Sequence, residues 1–362
     1  MDPRKLPLMI ALALSATVLA ACGEAPAPAA STPTAAPPTM AERYCSVDRV
    51  MSEPVTEVPM EEGMSEDSWF PDNEILIADL DLSGPLPRIT SDPVNLTQRP
   101  GYDNQPAFFA DGSGFLYASI REDDQSDPYC YDLASGHTTR VLATPASEYS
   151  PTPMADGRFS AVRLDSEGSQ QFWAWDPITG QGTELLPGVT RIGYFTWLDD
   201  HRIAMFVVEE PYSIYLADIS TGAIEKVLEN VGRGLKRQPD GTLVGYIDAS
   251  EVGYDERDMP TGDAWFASYD PATGTSERLF ATPDPRFQDF AWTPGGGVLI
   301  GAASTEDGHG RIMYWHPTAA PELIEVAQLP LIPDVAHPVV TRMAVSPTGD
   351  RIAIVVLTNP PE

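Results

Sequence analysis

The sequence predicts an all-β fold, a six-bladed β-propeller with four-stranded blades, and three observations carry the prediction. Two kinds of turn alternate from residue 73 onward, each occurring six times. The aspartates of one kind, with a histidine in the last, recur at steps of 51, 44, 42, 52 and 46 residues, and the order of turns at the two ends lets the chain close on itself. A repeat of roughly 40 to 50 residues built from short strands and tight turns is the pattern of a propeller.

The first kind of turn joins two apolar strands: Phe109-Ala110-Asp111-Gly112, Met154-Ala155-Asp156-Gly157, Leu198-Asp199-Asp200-His201, Gln238-Pro239-Asp240-Gly241, Thr293-Pro294-Gly295-Gly296 and Ser346-Pro347-Thr348-Gly349. Short apolar runs follow, such as Ile203-Ala204-Met205-Phe206 and Ile352-Ala353-Ile354-Val355. Asp-Gly and Gly-Gly supply the positive φ of a tight hairpin, so these segments read as the turn between the innermost strand of a blade and the next.

The second kind follows an aromatic strand: Asp81-Leu82-Ser83-Gly84, Asp132-Leu133-Ala134-Ser135-Gly136, Asp176-Pro177-Ile178-Thr179-Gly180, Asp218-Ile219-Ser220-Thr221-Gly222, Asp270-Pro271-Ala272-Thr273-Gly274 and the degenerate His316-Pro317-Thr318-Ala319-Ala320. These read as the corner between the two outer strands. The series opens on an outer corner at Asp81 and ends on an inner hairpin at Thr348, so the two halves combine in one composite sixth blade. Closing the ring in this way leaves no exposed sheet edge inside it.

Pro106-Ala107-Phe108-Phe109-Ala110-Asp111-Gly112 and Ser346-Pro347-Thr348-Gly349-Asp350-Arg351-Ile352-Ala353 resemble the Pro-x-Trp-Ser-Pro-Asp-Gly-x-x-Ile-Ala repeat of TolB-like propellers, and Trp292-Thr293-Pro294-Gly295-Gly296 is similar. The resemblance runs over residues 73–358. It implies a six-bladed propeller and, because TolB proteins dock protein partners on the propeller mouth, a binding role at that mouth. Those proteins also carry an α/β domain ahead of the propeller, a place taken here by a different kind of segment.

That segment begins with a signal peptide over residues 1–21: Arg4 and Lys5, then an apolar run from Leu6 to Ala21 that is short for a spanning helix. Leu19-Ala20-Ala21-Cys22-Gly23 resembles the bacterial lipobox, which implies lipidation of Cys22 by diacylglycerol and an amide-linked chain such as palmitate. Gly23 in second place, rather than aspartate, points to an outer-membrane anchor facing the periplasm if the cell is Gram-negative. Residues 22–40 hold proline, alanine and small polar side chains, too little apolar surface to order a fold, and form a tether. Residues 41–72 form an acidic extension dotted with Met51, Met60 and Met64. It shows no sustained helical or alternating period, which suits a loop packed on the propeller better than a soft-metal site.

The formal charge is −31, from 22 basic and 53 acidic residues, which excludes nucleic acid and anionic lipid as broad partners. Beyond Cys22 there remain Cys45 and Cys130. In an oxidising compartment they suit either a disulfide tying the N-terminal extension to the propeller or two separate thiols.

Both kinds of turn fall on one face of the ring, and the channel mouth lies on the other. Stepping back six to eight residues from each inner hairpin reaches Asp103 and Asn104, Glu148 and Tyr149, Tyr194, Arg233, Gln288 and Asp289, and Arg342, the expected mouth. The long connection Asp248–Ala264 is a candidate docking loop. No Gly-x-Ser-x-Gly elbow or sialidase Asp box occurs, and the five histidines lack ligand spacing; His337 with Asp334 is the one pair on the mouth face. No catalytic residue and no required cofactor is therefore assigned. The sequence favours a monomeric, membrane-anchored, non-enzymatic envelope lipoprotein whose mouth binds a protein or peptide. The alternative is a divalent-cation-dependent hydrolase, lactonase or lyase, with Ca²⁺ held in the channel by converging Asp103, Glu148 and Asp289.

Overall fold

The computed structural model describes residues 37–46, 72–99, 101–121, 125–257, 259–286, 288–329 and 338–358. The signal peptide, Cys22 and its lipobox, the tether up to residue 36, Met51, Met60, Met64, Asp258, Asp334 and His337 lie outside them.

Among the described residues the strands form six antiparallel sheets, each a blade. Blade 1 runs from its inner strand Asp103–Phe108 through Gly114–Ile120 and Ser126–Asp132 to Thr138–Arg140. The inner strands of blades 2 to 5 are Ser147–Pro153, Ile192–Trp197, Val231–Arg237 and Phe290–Trp292. Blade 6 is the expected composite: Val339–Val345 and Arg351–Leu357 supply its inside, and Asn73–Asp81 with Arg88–Ile89 its outside. The seam between the two chain ends runs in register from Asn73↔Leu357 to Asp79↔Arg351. Closure of the ring is thus made by backbone hydrogen bonds, not by side-chain packing alone.

Second strands are apolar at successive positions because both their faces are buried. In Arg202–Val207, Ile203 and Met205 pack toward blade 2, while Ala204 and Phe206 pack toward blade 4. The same alternation gives one apolar cluster for each gap between neighbouring blades. A fully buried side chain of this kind contributes about 1.5–3 kcal/mol, so the blade interfaces dominate stability.

The outer corners work through their aspartates. Asp132, Asp218 and Asp270 each accept a backbone N–H two residues on, from Ala134 (2.9 Å), Ser220 (2.8 Å) and Ala272 (2.8 Å). Gly222 and Gly274 finish such turns at φ +73° and +71°, where a Cβ would be strained. The degenerate corner keeps the chemistry with another residue: His316 Nδ1 accepts from the N–H of Thr318 (3.2 Å) and Ala319 (3.1 Å).

Two expectations are corrected. The connection Asp248–Ala264 is no loop; it is the end of a long hairpin, Val244–Tyr254 against Pro260–Asp270, paired out to Tyr254↔Pro260. Arg278 braces it, reaching Asp248 (2.7 Å) and Glu251 (2.6 Å) and lying over the Trp265 ring. A short helix, Met40–Tyr44, spans the junction of the tether and the acidic extension, where no helical period is expected. Thr39 and Glu42 form a reciprocal capping box, a signal present in the sequence as Thr-x-x-Glu. The helix sits on the hairpin face of blades 1 and 2: the Met40 N–H donates to Asp111 (2.7 Å), the Tyr44 hydroxyl to the Arg158 carbonyl (2.6 Å), and the Tyr44 ring meets Phe109 at 4.9 Å. A disulfide joins Cys45 to Cys130 of blade 1, with 5.4 Å between their Cα atoms.

Candidate functional site: the channel mouth

Inner strands enter the ring at the mouth face, and most of them are irregular there. The pairing register slips at Asn104/Ala107, Tyr149/Thr152, Ile192/Tyr194, Val231/Leu235 and Val340/Arg342, in five of the six blades. A bulge of this kind re-aims the side chains beside it and so decides which residues reach the channel. Gln105 and Ser150 sit at positive φ within two of these bulges. The Ser150 N–H donates to Gln105 Oε1 (2.5 Å), stitching blade 1 to blade 2.

The channel encloses about 1040 Å³, and Tyr194, Arg233, Lys236, Asp289 and Arg342 are among its lining residues. Lys236 Nζ lies 2.7 Å from Asp289 Oδ1, and Arg342 Nε lies 3.4 Å from the other carboxylate oxygen. Arg342 also stacks over the Tyr194 ring, 5.2 Å from its centroid. Tyr102 and Tyr149 meet edge to face at 6.4 Å. Burial raises the Tyr102 pKa, partly offset by Arg342 and Arg233 nearby, so its phenol stays protonated. Arg233 is exposed, and its side chain makes no ion pair among the described residues; its N–H donates to Gln288 Oε1 at 3.2 Å.

Four of the nine expected mouth residues line the channel, Tyr194, Arg233, Asp289 and Arg342; Gln288 lines a smaller pocket beside it, and Tyr149 lies against Tyr102. Asp103, Asn104 and Glu148 line neither. Asp103 is fully buried and accepts from Arg99 Nη2 at 3.0 Å, while the Asn104 side-chain oxygen Oδ1 turns back to accept from the N–H of Gln105. Glu148 is fully buried beneath Thr144, whose hydroxyl donates to Oε1 at 2.5 Å. Side chains in a strand alternate faces, so a step of one residue moves a side chain from the mouth into a blade interface. Sequence reading missed Tyr102 and Lys236. For the second the available signal was the three cations Arg233, Lys236 and Arg237 set among small and apolar residues in the strand Val231–Arg237.

The expected convergence of Asp103, Glu148 and Asp289 is not found. Among the described residues no three His, Cys, Asp or Glu side chains come together in a way that could hold a metal ion. The three carboxylates serve separate partners instead: Arg99, Thr144, and Lys236 with Arg342.

No protein-family model matches the chain, and no curated protein matches it. Solved structures do. A TolB from Agrobacterium tumefaciens aligns at 15% identity over 80% of this chain and 99% of its own, with a TM-score of 0.59. A gluconolactonase from Xanthomonas campestris aligns at 12% identity over 78% and 97%, with a TM-score of 0.53. A chain of a nidogen/laminin complex aligns at 12% identity over 80% and 100%, with a TM-score of 0.50. Fold and mouth together define a class: a closed six-bladed β-propeller with a channel open to side-chain chemistry. In fold it is TolB-like, and at these identities the likeness is one of fold.

Proposed function

We propose that this chain is a non-enzymatic binding module of the cell envelope, held to a membrane through lipidated Cys22 and facing the periplasm, whose propeller mouth takes up a protein or peptide partner. One observation carries the reading. Arg233, Arg342 and Tyr194 line a large channel, with Tyr102 and Tyr149 close beside them, in a chain that is otherwise strongly acidic. Aromatic and arginine side chains at the rim of a concavity are the residue types that dominate protein recognition. The TolB and nidogen/laminin structures share the fold, and the second comes from a protein complex. The gluconolactonase shares it too, yet the carboxylates a divalent cation would need are spent here on separate partners. Among the described residues no helix is long and apolar enough to cross a membrane, so anchoring rests on Cys22 in this reading.

Photo-crosslinking from position 233 in intact cells tests the mouth. A discrete crosslinked partner is expected, and Tyr194→Ala in the same protein should cut its yield at least tenfold. Unchanged crosslinking in a folded Tyr194→Ala protein overturns the mouth assignment. Cys22→Ala should move the protein from the membrane to the soluble fraction, and membrane retention of that variant would dismiss the anchor.

A further inference from the structure

Beside the channel a smaller pocket of about 190 Å³ opens between blades 4, 5 and 6, and Arg233, Arg286 and Arg342 all line it. Its charges do not balance. Asp284 is taken up by Arg286, which grips it with Nε at 2.8 Å and Nη2 at 2.7 Å. Asp289 faces two cations at once, Lys236 and Arg342. Arg233 has no acidic partner among the described residues. The lining thus holds three arginines and one carboxylate, Asp289, which Lys236 of the neighbouring channel also claims, in a chain whose composition runs the other way, 22 basic residues against 53 acidic. The Arg342 side chain is only 20% exposed and shares its one carboxylate, Asp289 at 3.4 Å, with Lys236, so a second anion at close range offsets a charge partly withdrawn from water.

We propose that this pocket is a carboxylate-binding site and that its occupant is a peptide carboxylate, either a C-terminal carboxylate or an aspartate or glutamate side chain. The inference rests on the mouth reading and names the chemistry of the partner. A guanidinium presents its N–H groups in a planar fork that matches a carboxylate; Arg233 from blade 4 has no ion pair among the described residues, Arg342 from blade 6 shares Asp289 with Lys236, and both line the pocket. The volume admits one small terminal residue or acidic side chain and excludes a folded surface. The acidic exterior adds selectivity: a broad acidic protein face is repelled at long range, whereas a narrow chain bearing one carboxylate gains the local field. The tyrosines at the mouth supply flat walls against which the rest of the peptide can lie.

The test is titration of the intact protein at low salt with three fluorescein-labelled probes, labelled at the N-terminus. These are tetra-alanine with a free C-terminal carboxylate, amidated tetra-alanine, and an amidated tetramer of three alanines and one glutamate. Saturable binding is expected for at least one carboxylate probe and at least tenfold weaker binding for amidated tetra-alanine. Whether the first or the third probe binds identifies the source of the carboxylate. Arg233→Gln should weaken that binding at least tenfold, while Arg88→Gln, at the outer edge of blade 6, leaves it within twofold. Equal binding of all three probes, binding of none, or an equal effect of the two substitutions overturns the carboxylate site. If the probes fail while crosslinking from position 233 still captures a partner, the carboxylate inference falls and the mouth reading stands; loss of both removes the two together.

Discussion

Lys236 of blade 4 and Asp289 of blade 5 form an ion pair at 2.7 Å, and the same ammonium donates to the backbone carbonyls of Phe290, in blade 5, and Met343, in blade 6, the latter at 2.8 Å. All three protons of the ammonium are thus used, and one side chain holds three blades together at the channel. Burial pulls the Lys236 pKa down, and Asp289 opposes the pull.

Lys236→Met should therefore be among the most damaging single changes in the propeller. It leaves Asp289 facing Arg342 alone and removes the donor from two carbonyls. Loss of one partner from a fully buried pair costs about 3–5 kcal/mol; here Lys236 is 29% exposed, so the loss falls toward or below the low end of that range, and chemical denaturation measures it. Lys236→Met with Asp289→Asn should recover part of the loss, since the stranded charge goes with the aspartate. A single substitution that costs under about 1 kcal/mol would show the pair to be ornamental.

This pair also marks where the sequence stops being legible. Blade number, the positions of both turn types and the composite closing blade are all written in local chemistry, because Asp, Gly and Pro at fixed offsets specify turns. The mouth is not. Whether Glu148 or Tyr149 turns toward Tyr102 and the mouth depends on a one-residue phase in the strand, and the bulge at Tyr149/Thr152 resets that phase without a residue type that announces it. The hairpin ending at Tyr254↔Pro260 was hidden for another reason: Asp255, Glu256 and Arg257 at its tip read as a solvated loop, and its bracing comes from Arg278, far along the chain. The helix at Met40–Tyr44 is too short for a hydrophobic period, so only its capping box betrayed it.

His316 stands where the other outer corners carry aspartate, and its ring nitrogen takes over the acceptor role toward Thr318 and Ala319. His316→Asp should accordingly be neutral within about 0.5 kcal/mol, whereas His316→Ala should cost about 1 kcal/mol by stranding the two N–H groups. Equal urea midpoints for the alanine and aspartate variants would show that the side-chain acceptor does no structural work at this corner.

The disulfide between Cys45 and Cys130 spans 85 residues of sequence and fastens the short N-terminal helix to blade 1. In the chain-entropy picture a cross-link closing a loop of that size contributes about 4–5 kcal/mol. Thr139 adds to the dock by donating its hydroxyl to the Cys45 carbonyl at 3.1 Å. Cys45→Ala with Cys130→Ala should lower the thermal midpoint and raise hydrogen exchange in residues 40–45 first, with the blades protected as before. Exchange that rises uniformly across all six blades would show that the helix and the ring unfold as one unit.

Glu148 gives the propeller a pH dependence opposite in sign to that of its surface aspartates. Burial pushes its carboxyl from an ordinary value near 4.5 up to about 8, with the Thr144 hydroxyl resisting and Asp127 assisting. The folded protein then keeps the proton over a range in which the unfolded chain has lost it. Stability from this group is whole below about pH 4.5 and falls as pH rises toward 8, at a limit of about 1.4 kcal/mol per pH unit. Surface carboxylates such as Asp218 and Asp270, held below their usual range by their turn hydrogen bonds, contribute the reverse: their stabilisation is lost as pH falls. Glu148→Gln separates the two. Relative to wild type the variant should gain stability steadily from pH 5 to pH 8 and not beyond, by a few kcal/mol in all, as read from urea titrations at each pH. Parallel curves for the two proteins across that range would mean that Glu148 is ionised in its buried site.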